Sequence, residues 1–302
     1  MVVVGCPGAG WSYRGAGQCA FGRVERLHPR VWLVVEDDRF DEHPFLYIVV
    51  GSESVCLIDS GVGTQPYADW LDGFLMGAAG FAASQLPRIC INTSCLYTKI
   101  GGNASLGDDA TICASSRDRS FTGAAFDDRR DSGLKFQVGC RELQPYTVRR
   151  WLGDGDVVDL GGGDRLVALH APGRTPDSLC LWYEREALLF AGDTIYPDAP
   201  IVVAHSESSL VQFLSSLVKL NAFLAAAPRF TIACGRIAEA LPGDRLAALQ
   251  ALVDDAICGR IQATRAEGLD GHLFLRGDLS FTTHHSRFEA AVPEAPPPPT
   301  AR

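Results

Sequence analysis

No stretch of the chain concentrates Lys and Arg into the stripe that a phosphate backbone would need, and its 302 residues carry a formal net charge of −9. Nucleic acid is therefore not expected as a partner. No segment approaches the roughly 18 continuous apolar residues of a membrane-spanning helix. The opening Met1-Val2-Val3-Val4-Gly5-Cys6-Pro7 has neither a basic leader nor an apolar run of secretory length. Both absences favour a cytoplasmic protein that does not engage membranes. The ten cysteines form no C-x-x-C pair or other zinc-knuckle spacing. Several fall in apolar runs such as Val55-Cys56-Leu57-Ile58, where a reduced, buried thiol serves as a small hydrophobe.

With 47% hydrophobic and 21% charged residues, the chain can bury a substantial core, as one large domain or two halves sharing a core. Residues 1–22 are rich in glycine and small residues and read as a loosely held arm. Residues 289–302, ending in consecutive prolines, read as a disordered tail. The intervening 23–288 forms the expected domain. Apolar runs predict strands at Val31–Val35, Phe45–Val50, Val55–Ile58 and Ile89–Ile91. A second group is predicted at Val157–Leu160, Leu166–His170, Leu179–Tyr183, Ala187–Phe190 and Phe230–Ala233. Helical spacing marks Tyr67–Leu75, Leu210–Ala227 and Leu241–Ile257, the last opened by Pro242. Two strand groups with interspersed helices suggest two packed sheets covered outside by helices, an α+β arrangement.

Four short signatures then occur in order. Leu57-Ile58-Asp59-Ser60-Gly61 closes one apolar strand, and Thr93-Ser94-Cys95-Leu96-Tyr97-Thr98-Lys99-Ile100-Gly101-Gly102-Asn103 follows another. Pro172-Gly173-Arg174-Thr175 and Ala191-Gly192-Asp193-Thr194 complete the set. Together they resemble the metallo-β-lactamase superfamily in its hydrolase branch. That resemblance implies an αββα sandwich of two mixed sheets flanked by helices, with a site at one edge between the sheets.

The same register exposes a departure. Where the family places the ligands of a two-metal site, this chain has Ser94, Leu96, Thr98, Lys99, Arg174, Asp193 and Arg236. Six of the seven are replaced, and only Asp193 keeps a metal-binding group. Leu96 offers no donor, and a guanidinium cannot lose its proton to coordinate. A catalytic zinc needs about three nitrogen, sulfur or carboxylate ligands, so zinc is expected to be absent, and with it the metal-bound hydroxide that the family's hydrolysis requires.

Three of the replacements are cationic. In the family's fold Lys99, Arg174 and Arg236 would converge on the former metal volume, where they should pair with Asp193, with Asp59, or with a bound anion. The expected ligand-binding set is Lys99, Arg174, Arg236, Asp193, Asp59, Ser94 and Thr98. A salt-bridged structural plug made from the same groups is the competing expectation. Weaker catalytic candidates are Lys99 itself, Cys95 as a thiolate beside cations, Tyr97 and His170 as proton carriers. For Cys95 and His170 the structural readings are favoured, as a buried thiol and a packed strand histidine. His284 and His285, adjacent on a strand, should face opposite ways and not share a site. The acidic stretch Asp37–His43 reads as a solvated hairpin loop that could overhang the pocket.

The leading expectation is a metal-free pseudoenzyme that binds a small anionic molecule or a protein partner in the former zinc pocket. A metal-independent enzyme using the Lys/Arg-lined pocket, as ester or thioester hydrolase or lyase, is an alternative. A structural partner of an active zinc-bearing relative, in a homo- or hetero-oligomer, is another.

Overall fold

The computed structural model describes residues 3–6, 9–13, 21–65, 67–123, 143–227, 229–265, 271–289 and 291. The first sheet has nine strands in sequence order: β1 (Val3–Cys6), β2 (Ala9–Tyr13), β3 (Gly22–His28), β4 (Val31–Glu36), β5 (Phe45–Val50), β6 (Val55–Ile58), β7 (Arg88–Ile91), β8 (Ala110–Ser115) and β9 (Arg150–Leu152). Strands β1 to β6 pair antiparallel, and β6 to β9 run parallel. The second sheet orders β10 (Val157–Asp159), β11 (Arg165–His170), β12 (Leu179–Tyr183), β13 (Leu188–Gly192), β15 (Thr231–Cys234) and β16 (Leu241–Pro242). Here β13 and β15 are the parallel pair.

Alternation along β4 shows why these segments are apolar throughout. Successive side chains face opposite ways. Val31 and Leu33 enter the core between the sheets with Tyr47, Ile58, Leu181 and Phe190. Trp32 and Val34 face outward and are covered by Trp70, Leu71 and Phe74 of helix α1 (Tyr67–Phe74). A strand buried on both faces cannot show the polar alternation of a half-exposed one. The outer face of the second sheet is covered by α3 (Leu210–Leu224) and α4 (Asp244–Ile257), through Phe213, Leu217, Leu249 and Val253. The layers are helix, sheet, sheet, helix, as expected.

Four expectations need correction. Val3–Cys6 and Ala9–Tyr13, assigned to a loose arm, are strands at the edge of the first sheet, with Trp11 paired to Val24. Pro242 does not open a helix. It pairs with Thr231 in β16, and the helix begins at Asp244 after Gly243, because proline's fixed φ also suits an edge strand. A third, four-stranded sheet was not anticipated: β14 (Pro200–Val202), β19 (Leu279–His284), β18 (Gly271–Arg276) and β17 (Thr264–Arg265). Its Phe274 and Phe281 pack into the outer core with α4. Finally, His284 ends β19 but His285 begins a short helix, so the two do not alternate on one strand; His285 instead meets His272 of β18 at 2.7 Å. The proline-rich tail falls outside the described residues except Glu289 and Ala291.

Cys56, Cys90, Cys95, Cys113, Cys180 and Cys234 are free and buried, and Cys258 is free and exposed. Among the described residues, no helix is long and apolar enough to cross a membrane.

Candidate functional site

Parallel neighbouring strands end together, so the loops that follow them gather at one edge. Asp59 follows β6, the segment Asn92–Leu96 follows β7, Asp193 follows β13, and Gly235 and Arg236 follow β15. Lys99 lies on the short helix α2 (Tyr97–Ile100), the first turn after the β7 loop.

Lys99 is held at its backbone before its side chain does anything. Its carbonyl accepts from Ser60 N–H at 2.8 Å, Ser60 Oγ at 3.1 Å and Asn92 Nδ2 at 3.0 Å. Asn103 donates to Asn92 at 2.8 Å and so orients that amide. The ammonium group, 1% exposed, then lies 3.0 Å from Asp193 Oδ1 and 3.8 Å from Asp59 Oδ2, and donates to the Gly235 carbonyl at 3.2 Å. A Cβ on Gly235 would stand 2.5 Å from Asp193 Oδ1 and 2.6 Å from Lys99 Nζ, so the close approach of three chain segments requires glycine there.

Asp59 has φ of 65°, and its carboxylate accepts from the Thr93 N–H at 2.7 Å and the Thr93 hydroxyl at 2.8 Å. Burial pushes its carboxyl up to about 6, against the opposing influence of Lys99 and the Thr93 hydrogen bonds. Burial also acts upward on Asp193, but Lys99, Arg174 and Arg236 outweigh it and hold that carboxyl well below the usual carboxylate range. Two aspartates around one ammonium thus differ because only Asp193 also faces guanidinium groups.

The outer half of the site is less complete. Arg174 Nη1 lies 3.0 Å from Asp193 Oδ2, yet its Nε and Nη1 are buried without a hydrogen-bond acceptor. Arg236, expected to pair with Asp193, with Asp59 or with an anion, forms its ion pair with Glu42. Its Nη1 is 3.7 Å from Glu42 Oε2, its guanidinium stands 5.9 Å above the Tyr196 ring, and its Nε is buried without an acceptor. Glu42 also accepts from Tyr97 Oη at 2.5 Å. The acidic loop therefore is not merely solvated. Buried Asp38 receives the N–H groups of Phe40, Glu42 and His43, shaping the loop so that Glu42 reaches the pocket.

His205, not singled out from the sequence, belongs here too. Its Nε2 is buried without a partner. Burial, then Arg174, push its pKa down to about 4, with Asp193 opposing, so it is neutral near pH 7. Ser208 ties the segment to Arg174, receiving from His205 N–H at 2.9 Å and donating to the Arg174 carbonyl at 2.6 Å.

The weaker candidates separate clearly. Cys95 is buried, its N–H donates to Asp177 at 2.7 Å, and burial followed by Asp177 raises its thiol well above the ordinary value, opposite to activation. His170 is committed to structure, with Nε2 2.9 Å from the Leu152 carbonyl and its N–H donating to Asp154 at 2.7 Å. Ser94 is buried in the loop and Thr98 half-buried on α2.

The residues present do not fit a metal. Both oxygens of Asp193 face cations at 3.0 Å. Among the described residues no group of three or more His, Cys, Asp or Glu could hold an ion.

Residues 103–230 match the family model described as the metallo-beta-lactamase superfamily. A metallo-beta-lactamase family protein of Thermus thermophilus superposes with a TM-score of 0.61 at 19% identity, over 77% of this chain and 82% of that one. Residues 103–230 thus match a metallo-beta-lactamase superfamily domain, and the fold around them is of that kind. Among sequence relatives of this domain, acyl-coenzyme A thioesterase MBLAC2 of Gallus gallus is 27% identical over 165 residues, 52% of this chain and 59% of the relative. The chain thus spans less than two thirds of that thioesterase. The protein avaE of Aspergillus versicolor, which bears a provisional transcription-factor name, is 26% identical over 270 residues, 80% of this chain and 78% of its own length.

Proposed function

We propose that this metallo-beta-lactamase superfamily protein works without a metal, as a binding protein whose pocket takes an anion between Arg174, Arg236 and His205. The observation that carries this reading is the set of buried nitrogens without acceptors: Arg174 Nε, Arg236 Nε and His205 Nε2. A buried donor left unpaired costs on the order of 1–3 kcal/mol, more when charged; an anion would remove that cost at both guanidinium groups, and at His205 in the tautomer with its proton on Nε2. Lys99 supports the reading from the other side. Its ammonium shares Asp193 with Arg174 and also faces Asp59, so the guanidinium groups are not the sole partners of the buried carboxylates.

The thioesterase relative supports an inherited groove suited to an acyl-bearing, charged molecule. The Cys95 thiol is raised by burial and the His170 ring is engaged with the Leu152 carbonyl, which favours binding over a metal-independent hydrolase or lyase that would use them. The net charge of −9 disfavours nucleic acid, whatever the name of the fungal relative.

Two measurements test this. Purified protein should hold far less than one zinc per chain, and calorimetric titration with acetate should show binding that Arg174→Met weakens by about tenfold or more. Stoichiometric zinc, or equal acetate affinity in the variant, would overturn the reading.

A further inference from the structure

Arg236 is followed by a residue in an unusual state. Ile237 has φ of 69°, and the Ala238 N–H donates to the Arg236 carbonyl at 2.8 Å, closing a three-residue turn with Ile237 at its apex. Such turns are rare and strained, and for a β-branched side chain positive φ is a true outlier. The same side chain is 41% exposed, so burial repays the strain only in part. The residues on either side fix the turn in place. Gly235 N–H donates to Gly192 at 2.6 Å and its carbonyl accepts from Phe45 N–H at 2.9 Å, while Glu239 pairs with Arg23. Strain held in this way next to a pocket is a pointer to function.

The charges around the site set a second constraint. Lys99, Arg174 and Arg236 are balanced by Asp59, Asp193 and Glu42, and His205 adds a neutral ring. A doubly charged ligand would leave an excess of negative charge in a half-buried space. One negative charge is tolerated more readily, the more so when Asp59 takes up a proton. A planar carboxylate also matches the edge of a guanidinium better than a point charge does.

Resting on the anion-binding reading above, we propose that the occupant is a monocarboxylate with an apolar body, its head among Arg174, Arg236 and His205 and its body laid against Ile237. The turn separates the two tasks. It sets the Arg236 guanidinium over Tyr196 while leaving the next side chain, a branched hydrocarbon, partly exposed beside it.

The test uses the full chain and four probes: acetate, hexanoate, hexan-1-ol and hexyl phosphate. Hexanoate should bind about tenfold or more tighter than acetate, since its extra methylenes find apolar surface. Hexanol should not bind measurably, and hexyl phosphate should bind more weakly than hexanoate. Ile237→Gly relieves the backbone strain, so it should fold at least as well as the parent. It should weaken hexanoate about tenfold more than it weakens acetate. If acetate binds but hexanoate gains nothing, or if Ile237→Gly leaves hexanoate unchanged, this proposal falls while the anion site stands. Tighter binding of hexyl phosphate than of hexanoate would also overturn it. Failure of acetate and hexanoate alike in the parent protein would remove the anion site itself, and this proposal with it.

Discussion

The inner and outer halves of the pocket are built from the same kinds of group and treat them differently. In the inner half, the Lys99 ammonium has Asp193, Asp59 and the Gly235 carbonyl around it, and its own backbone is gripped by Ser60 and Asn92. In the outer half, two guanidinium groups reach Asp193 and Glu42 but leave nitrogens buried without acceptors. A cation enclosed by two carboxylates and a carbonyl becomes part of the fold. One that is held in place but incompletely paired remains able to bind. Under the anion-binding proposal, the structural plug and the ligand site expected as rivals correspond to different residues.

The largest way to break this comparison is to empty the inner half. Lys99→Met removes the ammonium while nearly keeping its volume, leaving Asp59 and Asp193 facing each other in a buried space. Removing one partner of a buried ion pair typically costs about 3–5 kcal/mol. Denaturant unfolding should show a loss of that order, with the slope unchanged, and Arg174→Met should lose less than half as much. Equal losses in the two variants would mean the halves do not differ in kind.

The division was only half legible in the sequence. Strands such as Phe45–Val50 and Val55–Ile58 could be read because burial on both faces makes them apolar without interruption. The four signatures also put Lys99, Arg174 and Asp193 in one place, because a motif that ends a strand fixes where its side chains emerge. The partner of Arg236 could not be read for a different reason. Its direction depends on Glu42, 194 positions away, reached through a loop that Asp38 shapes by accepting three N–H groups. His205 carried no local signal, since its place beside Arg174 follows from Ser208 bridging the two segments. The third sheet eluded reading because β14 and β19 pair across some eighty residues and each is short.

A prediction of intermediate size concerns pH and compares the pocket with the floor beneath it. Glu36 is fully buried at the end of β4, accepts from the Val62 N–H at 2.7 Å, and has its other oxygen unpartnered. Burial, with Asp38 adding to it, pushes its carboxyl up to about 7, against backbone hydrogen bonds from Val62 and Gly63. Asp59 is likewise raised, to about 6. Between the unfolded values near 4 and these raised values the folded state binds more protons, so stability should fall as pH rises from about 4.5 to 7. Asp193, held low, contributes in the opposite sense, with stabilisation lost only as pH drops below about 4. Thermal unfolding should therefore show greater stability at pH 5 than at pH 7.5. Glu36→Gln should flatten most of that slope and stabilise the protein at pH 7.5 by about 1–3 kcal/mol. A slope unaffected by the substitution would place the responsible protons elsewhere.

The smallest effect belongs to the outer half. Glu42 pairs with Arg236 at 3.7 Å and accepts from Tyr97, in a part of the pocket open enough for water to screen the charges. Glu42→Gln should consequently change stability by less than about 1 kcal/mol. It should raise the affinity for acetate several-fold, because an internal competitor for the Arg236 guanidinium has gone while the amide oxygen can still accept from Tyr97. The gain should shrink as salt is added, as expected for a charge near the surface. Weaker acetate binding in this variant would mean that Glu42 positions Arg236 for the anion rather than competing with it, and the outer half would then be as internally complete as the inner one.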